Sequence, residues 1–375
     1  MKLRIKPIVA ACALAMVAGQ AGAIDYYLAA KAYNKTMPDG SIVPMWGYVV
    51  DPDTAGDLDS DGRVEGDCFE TTPATARVTC INNLPDPVGV VGPRLTIPPT
   101  DSTFRIFLTN GLSEPTSIVI PGQEMPHSAT TGGQPDNGPT WNDGTRGPRG
   151  GDYDKKLRSY GREADADGGR RAFVWRDSRA NPITETGTLI YHTGTLPQKQ
   201  LYMGLYGLVT KDAAAGVVYD FDPNITGDEV GYSSDTTLFY SDIDPAFNAA
   251  VAAGTLTTAI DRHPSWFLIN GEPYVPTTPD ISGMATNQAN LIRFASAATE
   301  KHVPVLQGLY GTIHGEDGIQ YNWQDSAAGT ATPAPIQQYS FGLPPLKTKD
   351  VIVNPSATGR YAIYDGNGYM TNPSD

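Results

Sequence analysis

The chain has 375 residues, enough for two domains, and its 41 acidic against 27 basic side chains give a formal net charge of −14 at pH 7. This negative charge argues against nucleic acid as a partner, because phosphate backbones attract basic surfaces. Only 18% of the residues are charged, whereas 40 are Gly and 31 are Pro. This composition indicates many short strands joined by turns and argues against a helical protein.

Residues 1–23 have the pattern of a secretory signal peptide, in which three basic residues precede an apolar run and the cleavage site Ala21-Gly22-Ala23. Its removal would lower the count of Lys and Arg from 27 to 24 and bring the net charge to −17. No later segment approaches the ~20 apolar residues that a membrane helix needs. The sequence therefore predicts a soluble, exported protein, either periplasmic or extracellular, without a transmembrane segment.

An acidic segment at residues 49–67 contains three carboxylates at alternate positions before a glycine. This pattern resembles the front half of a calcium-binding loop, because carboxylate oxygens are the ligands that calcium prefers. The twelfth position is a cysteine, so a carboxylate near the end of the segment would have to complete the shell. The candidate calcium ligands are Asp57, Asp59, Asp61, Glu65 and Asp67. The alternative interpretation is a solvated acidic loop.

Two of the three cysteines, Cys68 and Cys80, would remain after cleavage of the signal peptide. In an exported protein, two cysteines this close in sequence are typical of a disulfide that closes a small loop. The sequence therefore predicts one disulfide and leaves no free thiol for catalysis or for a metal–thiolate bond.

From Arg94 onward, short β-branched runs are interrupted by Pro, Gly and Asn, a pattern that predicts strands. Residues 127–171 are rich in Gly, Asp, Arg and Pro and predict a long loop, whereas residues 245–258 predict a short helix or turn. The pattern divides the mature chain into a first all-β domain (24–212), an acidic linker (213–235) and a second all-β domain (236–375).

Two segments of the first half, NGLSEPTSIVIPGQ (110–123) and GTLIYHTGT (187–195), resemble the first cupredoxin domain of multicopper oxidases. In the second half, FLINGEPY, LIRFASAATEKHVPVLQG and GRYAIYDGNGYMTN resemble a later cupredoxin domain of the same family in order and spacing. The resemblance covers nearly all of residues 90–372. It implies an all-β fold of two cupredoxin-like Greek-key β-sandwiches.

Members of that family hold copper with paired histidines and a thiolate. Neutral imidazole suits Cu(II), and residues i and i+2 of a strand lie on one face, so His-x-His presents two ligands to a shared cluster. The resemblance places eleven ligand positions on this chain, of which only His192 and His302 keep a histidine. The nine degenerate positions are Val119, Pro121, Gly194, Val305, Gln307, Tyr364, Asp365, Gly366 and Met370.

The whole chain has five histidines, too few for the ten or so, plus a cysteine, that a standard four-copper oxidase of this family requires. The sequence therefore predicts a non-catalytic binding, scaffolding or assembly component, whose partner is a protein or another part of the cell envelope. The alternative is an oxidoreductase or copper carrier with a reduced copper site at His192 and His302. In the other interpretation, each of these two residues is a hydrogen-bonded core histidine.

Overall fold

The computed structural model of the protein describes residues 22–54, 65–87, 91–127, 138–145, 155–176, 181–222, 227–275, 281–324, 331–370 and 373. Its strands are β1 (Ala23–Thr36), β2 (Ile42–Val50), β3 (Leu95–Ile97), β4 (Thr103–Asn110), β5 (Thr140–Trp141), β6 (Leu157–Ser159), β7 (Gly169–Arg176), β8 (Gly187–His192), β9 (Tyr206–Lys211), β10 (Val217–Asp220), β11 (Glu229–Gly231), β12 (Ser234–Ile243), β13 (Trp266–Ile269), β14 (Glu272–Pro273), β15 (Asn290–Ser296), β16 (Pro304–Leu306), β17 (Gly311–Glu316), β18 (Ile319–Gln320), β19 (Asn322–Gln324), β20 (Ala331–Pro333), β21 (Ile336–Gln338), β22 (Thr348–Val353) and β23 (Ile363–Asp365). Its helices are α1 (Asp67–Glu70), α2 (Ala74–Asn83), α3 (Pro197–Gln200) and α4 (Pro245–Ala252). The all-β prediction is confirmed.

The first half is a sandwich of two sheets. One sheet has the strand order β2-β1-β4-β7 and the other β3-β9-β8. Apolar side chains from both sheets meet in one core, where Phe104 and Trp175 of the first sheet join Leu189 and Tyr191 of the second. Every residue of β8 is buried, because Leu189 and Tyr191 pack in this core and Ile190 packs in a second core on the opposite face of the strand.

The second half is built on a larger sheet with the order β14-β13-β12-β15-β22-β17-β18, to which β21 is added beside β17. The pair β16–β23 covers its inner face, and a bridge between Val305 and Ser340 adds the segment around residue 340 to that pair. Leu306 and Phe341 from this cover pack with Phe294 and Val351 of the sheet. The halves are thus two cupredoxin-like sandwiches.

Two segments differ from their predicted structure, and a third agrees with it. The predicted linker forms the hairpin β10–β11, whose Val218 and Val230 pack with Leu291 on the second sheet. Within the predicted loop 127–171, the described residues include the pair β5–β6 and the start of β7. The predicted helix or turn is the helix α4, which begins after Asp244, whose carboxylate caps the first turn.

A disulfide between Cys68 in α1 and Cys80 in α2 is present in the structure, with Cα atoms 5.4 Å apart. Asp51 accepts hydrogen bonds from the backbone N–H groups of Cys68 and Phe69, at 3.0 and 2.9 Å. Cys68 and Ile81 pack against Ala29 of β1. The cysteine-containing segment is therefore anchored to the first sandwich. Almost all of the predicted signal peptide lies outside the described residues.

A buried charged network joins the two halves. Arg293 of β15 is fully buried, and its guanidinium donates to Asp212 at 2.7 Å, to Asp235 at 3.0 Å and to Thr188 at 3.2 Å. Asp350 of β22 accepts hydrogen bonds from the Thr188 hydroxyl at 2.5 Å and from its backbone N–H at 3.0 Å. Burial raises the pKa of the Asp350 carboxyl, and Arg293 opposes that rise. Strands β8 and β22 are held together by these bonds.

The helices are few and short. None of those formed by the described residues is long and apolar enough to cross a membrane.

Candidate functional site

The first-half ligand positions lie where β8 ends. A pair of backbone hydrogen bonds joins its last residue, His192, to Val119: each N–H donates to the other residue's carbonyl oxygen, at 2.8 and 3.0 Å. Two of the positions assigned from the family resemblance are therefore direct neighbours, joined by an isolated bridge between the end of β8 and residue 119. Pro121, two residues further along, is exposed and has no donor atom in its side chain.

At Gly194, the ligand position two residues after His192, other side chains fill the space that a second imidazole would need. A Cβ atom added at Gly194 would lie 2.8 Å from Val119 Cγ1 and 3.0 Å from Ser117 Oγ, both closer than ordinary packing allows. Ser117 Oγ also accepts a hydrogen bond from the Gly194 N–H at 3.1 Å and bonds to Ser159 and Thr195 at 3.0 Å. A closed hydroxyl network therefore occupies this corner of the fold, and the residues present do not fit a copper cluster.

His192 is committed to an internal hydrogen bond. Its Nδ1–H donates to the carbonyl oxygen of Thr193 at 2.6 Å, and its side chain is buried. Burial lowers the pKa of His192 to about 4, although the hydrogen bond to Thr193 acts in the opposite direction. The imidazole is neutral at pH 7 and serves as a hydrogen-bonded core residue.

We expect His192 to make folding sensitive to acid. Its pKa is about 4 in the folded state but ~6.5 when unfolded, so the unfolded chain takes up the proton first. Stability is complete above ~pH 6.5 and falls as the pH decreases toward 4, by about 2 kcal/mol between pH 7 and pH 5. Urea unfolding at pH 7 and at pH 5 measures this loss. A His192→Asn variant should lose less stability between the two pH values, because it lacks the contribution of His192. Equal acid sensitivity in the two proteins would contradict the prediction.

His302 is the second surviving histidine, and it forms a buried pair with Asp365. The imidazole Nδ1–H donates to Asp365 Oδ2. The other carboxylate oxygen, Oδ1, accepts from the backbone N–H groups of Val303 at 3.1 Å and Asn367 at 2.8 Å. Burial alone would raise the pKa of the Asp365 carboxyl, but the hydrogen bonds from His302 and the two amides outweigh it and lower the pKa.

In the family, the last strand carries His-Cys-His and then a further His, which fall on Tyr364, Asp365, Gly366 and Met370. A preceding histidine of the blue-copper centre falls on His302, so this pair stands where the family resemblance places that centre. Asp365 takes the position of the thiolate, and His302 that of one of its histidines. Met370, at the position of the other, has its sulfur 3.2 Å from the Asp365 backbone nitrogen. Rings of Tyr240 and Tyr369 flank the imidazole, with centroids 4.9 and 5.9 Å away. Sequence reasoning did not predict the pair, although the shared metal-centre positions were a signal that could have found it.

The remaining second-half positions lie on the pair β16–β23, where Val305 stands directly opposite Tyr364. The Tyr364 hydroxyl lies 3.4 Å from the side-chain oxygen of Gln307. Gln307, Tyr364 and Gly366 are exposed. A surface with a tyrosine and an amide thus replaces a set of inward-pointing imidazoles.

The two surviving histidines have separate partners. His192 bonds to Val119 and Thr193 in the first half, whereas His302 bonds to Asp365 and Leu343 in the second. Across the described ranges, no group of three or more His, Cys, Asp and Glu side chains could hold a metal ion.

The calcium candidates fall into two groups. Asp57, Asp59 and Asp61 lie outside the described residues. Asp67 is described, and its carboxylate accepts hydrogen bonds from the backbone N–H and hydroxyl of Thr54, at 3.0 and 2.5 Å. Glu65, the fifth candidate, is half-buried. Calcium binding stays a prediction.

No protein-family model matches the sequence, and no curated protein sequence matches it either. Solved structures do match. The multicopper oxidase mgLAC aligns with 91% of this chain and 79% of its own, with a TM-score of 0.55 and 15% identity. The blue copper oxidase from Nitrosomonas europaea aligns with 94% of this chain and 81% of its own, with a TM-score of 0.58 and 14% identity. Fet3p, a multicopper oxidase that functions in iron import, aligns with 94% of this chain and 50% of its own, with a TM-score of 0.54 and 13% identity. At such identities the similarity shows the fold alone. The chain therefore has the cupredoxin-like fold of multicopper oxidases.

Proposed function

We propose that the protein is an exported, copper-independent relative of these oxidases, which acts as a binding, scaffolding or assembly component. The observation that carries the proposal is the replacement of the copper ligand at nine of the eleven ligand positions. Five of the replacing side chains have no donor atom at all: Val119, Pro121, Gly194, Val305 and Gly366. Imidazole and thiolate are the donors that copper centres of this kind require, and they are missing where the fold would need them.

The two surviving histidines have separate partners, which argues against a copper site that they share. His192 Nδ1 is used by the carbonyl oxygen of Thr193, and His302 Nδ1 by the carboxylate of Asp365. Each imidazole stabilises its own half of the molecule, as buried polar groups with partners do. These bonds use only Nδ1, and a metal-bound histidine commonly donates its other ring N–H in the same way, so the case against copper rests on the donors missing at the other ligand positions.

An exposed aromatic side chain on the second half supports a binding role. Tyr364 lies at a degenerate ligand position, is exposed, and has its hydroxyl 3.4 Å from the side-chain oxygen of Gln307. Tyrosine provides a large apolar surface with one polar group, which suits it to interfaces. We propose a protein or another cell-envelope component as the partner of this surface, in the periplasm or outside the cell.

Metal analysis of the purified, copper-reconstituted protein tests the proposal. We expect less than about 0.1 copper per chain, no intense blue absorption and no dioxygen consumption with a phenolic reductant, because the donors are missing. A His192→Ala, His302→Ala double variant is the matched control and should give the same copper content. Copper near one per chain that disappears in the double variant would instead establish a reduced copper site, and with it the carrier or oxidoreductase function.

We also propose a structural calcium ion in the acidic segment, on the basis of its alternating carboxylates. EGTA should lower the melting temperature and excess calcium should restore it, since a ligand present at 100 times its Kd stabilises the folded state by about 2.7 kcal/mol. An Asp57→Asn, Asp59→Asn, Asp61→Asn variant should lose this response. Identical melting curves in EGTA and in calcium would refute the proposal.

A further inference from the structure

The outer face of the second-half sheet carries a groove of about 430 Å³. Strands β21, β17 and β22 form its floor, where Gln337, Thr312 and Ile352 are neighbours in the strand register. Tyr310 and Asn354 each lie two residues along the chain from a floor residue, a spacing that places them on the same face, and both line the groove.

Neutral polar groups dominate the groove. Its polar lining residues are Tyr310, Thr312, Gln337, Asn354, Ser356 and Tyr361, and the described lining includes no charged side chain. Hydroxyls and amides both donate and accept hydrogen bonds. A phosphate, carboxylate or cationic ligand would need an opposite charge that this lining lacks. The groove therefore suits an uncharged ligand that is rich in hydroxyl groups.

The ring of Tyr310 lines the groove, and the ring of Tyr339 packs against it from just outside the lining. Tyr310 and Tyr339 are 61% and 56% exposed, and their rings meet edge to face with centroids 6.0 Å apart. Exposed rings next to a polar groove favour a ligand with both an apolar face and polar edges. A sugar ring has this character, because its C–H groups lie on its faces and its hydroxyls point outward.

We propose that this groove binds a neutral oligosaccharide. The rings of Tyr310 and Tyr339 stack on sugar rings, and the amides of Gln337 and Asn354 bond to sugar hydroxyls. The volume of about 430 Å³ lies in the range of small-molecule sites. A proline-rich peptide fits less well, because its apolar side chains would find only Leu309 and Ile352 as branched apolar partners. None of the ligand positions lines the groove, so this inference goes beyond the proposed function and does not depend on it.

Calorimetric titration with neutral hexasaccharides tests the site, using β-1,4-linked glucose, xylose, mannose and N-acetylglucosamine and α-1,4-linked glucose as probes. At least one should bind with a Kd of about 1 mM or tighter. Tyr310→Ala should weaken that binding about tenfold or more, and Asn354→Ala should weaken it in the same direction. Hexagalacturonate, which is anionic, should not bind.

Tyr274→Ala is the matched control, because Tyr274 is a tyrosine of the same half, 64% exposed and outside the groove. It should leave saccharide binding unchanged, and all three variants should keep the native melting temperature. The inference is overturned if none of the five probes binds at millimolar concentration, or if Tyr310→Ala binds as the native protein does. It is equally overturned if a decaproline peptide, and no saccharide, binds in a Tyr310-dependent manner.

Discussion

Replacing Arg293 with methionine should lower the free energy of unfolding by about 3–5 kcal/mol, the cost of leaving a buried charge without its partner. Arg293 is fully buried and donates to Asp212, Asp235 and Thr188 across the junction of the two halves. Asp350, with a carboxylate oxygen 4.0 Å from the guanidinium, is also fully buried. Without the cation, this carboxylate would keep its hydrogen bonds but lose the charge that offsets its burial.

The pH dependence of the Arg293→Met variant identifies the cause. Burial already raises the pKa of Asp350 and Arg293 opposes that rise, so removing Arg293 raises the pKa further. A folded-state pKa above the unfolded value means that the folded state binds more protons, and stability then falls as the pH rises. The variant should therefore be less destabilised, relative to the native protein, at acid pH than at pH 7.

Urea denaturation measures these differences. Adding Asp350→Asn to Arg293→Met should recover much of the lost stability, because the unpaired charge is gone. Arg94→Met is the matched control: Arg94 pairs with Asp235 at 2.6 Å but is 36% exposed, and its loss should cost less than about 1 kcal/mol. If Arg293→Met costs no more than Arg94→Met, the network does not hold the halves together.

Most of the fold could be predicted from the strand pattern of the sequence, because alternation and apolar runs reflect the burial of strands directly. The fully buried strand β8, for example, contains the apolar run from Leu189 to Tyr191. The hairpin β10–β11 was missed because acidic residues and glycines surround it. Its two strands have only four and three residues, too short for periodicity to be visible. Packing against Leu291 stabilises this hairpin, and that contact depends on the tertiary structure.

The sequence offered candidate positions for the site, but not the hydrogen bonds that these residues make. Family resemblance assigned positions to His302 and Asp365, which lie 63 residues apart and hydrogen-bond to each other. The partners of Arg293 could not be predicted either, because its three carboxylates come from separate segments of the chain. Which strands become neighbours is set by topology, and a composition or a local spacing does not contain that information.

Asp365→Cys combined with Met370→His should turn the second half into a blue-copper protein. The donor set would then be two imidazoles and one thiolate, the set typical of blue-copper centres. Two features favour the conversion. The imidazole of His302 already contacts the side chain of residue 365, and the side chain of residue 370 already lies 3.2 Å from the backbone nitrogen of that residue.

We expect the double variant to bind about one copper per chain and to show intense blue absorption, which requires the thiolate. Asp365→Ser with Met370→His is the matched control, since it supplies the second imidazole without the thiolate and should stay colourless. Met370 is 42% exposed, so a metal ion can reach the site from solvent. A folded double variant that takes up no copper would show that residues 302, 365 and 370 do not occupy ligand positions. Blue colour in the double variant alone would mean that residues 302, 365 and 370 are arranged as in a blue-copper centre and that Asp365 and Met370 are what prevents copper binding there.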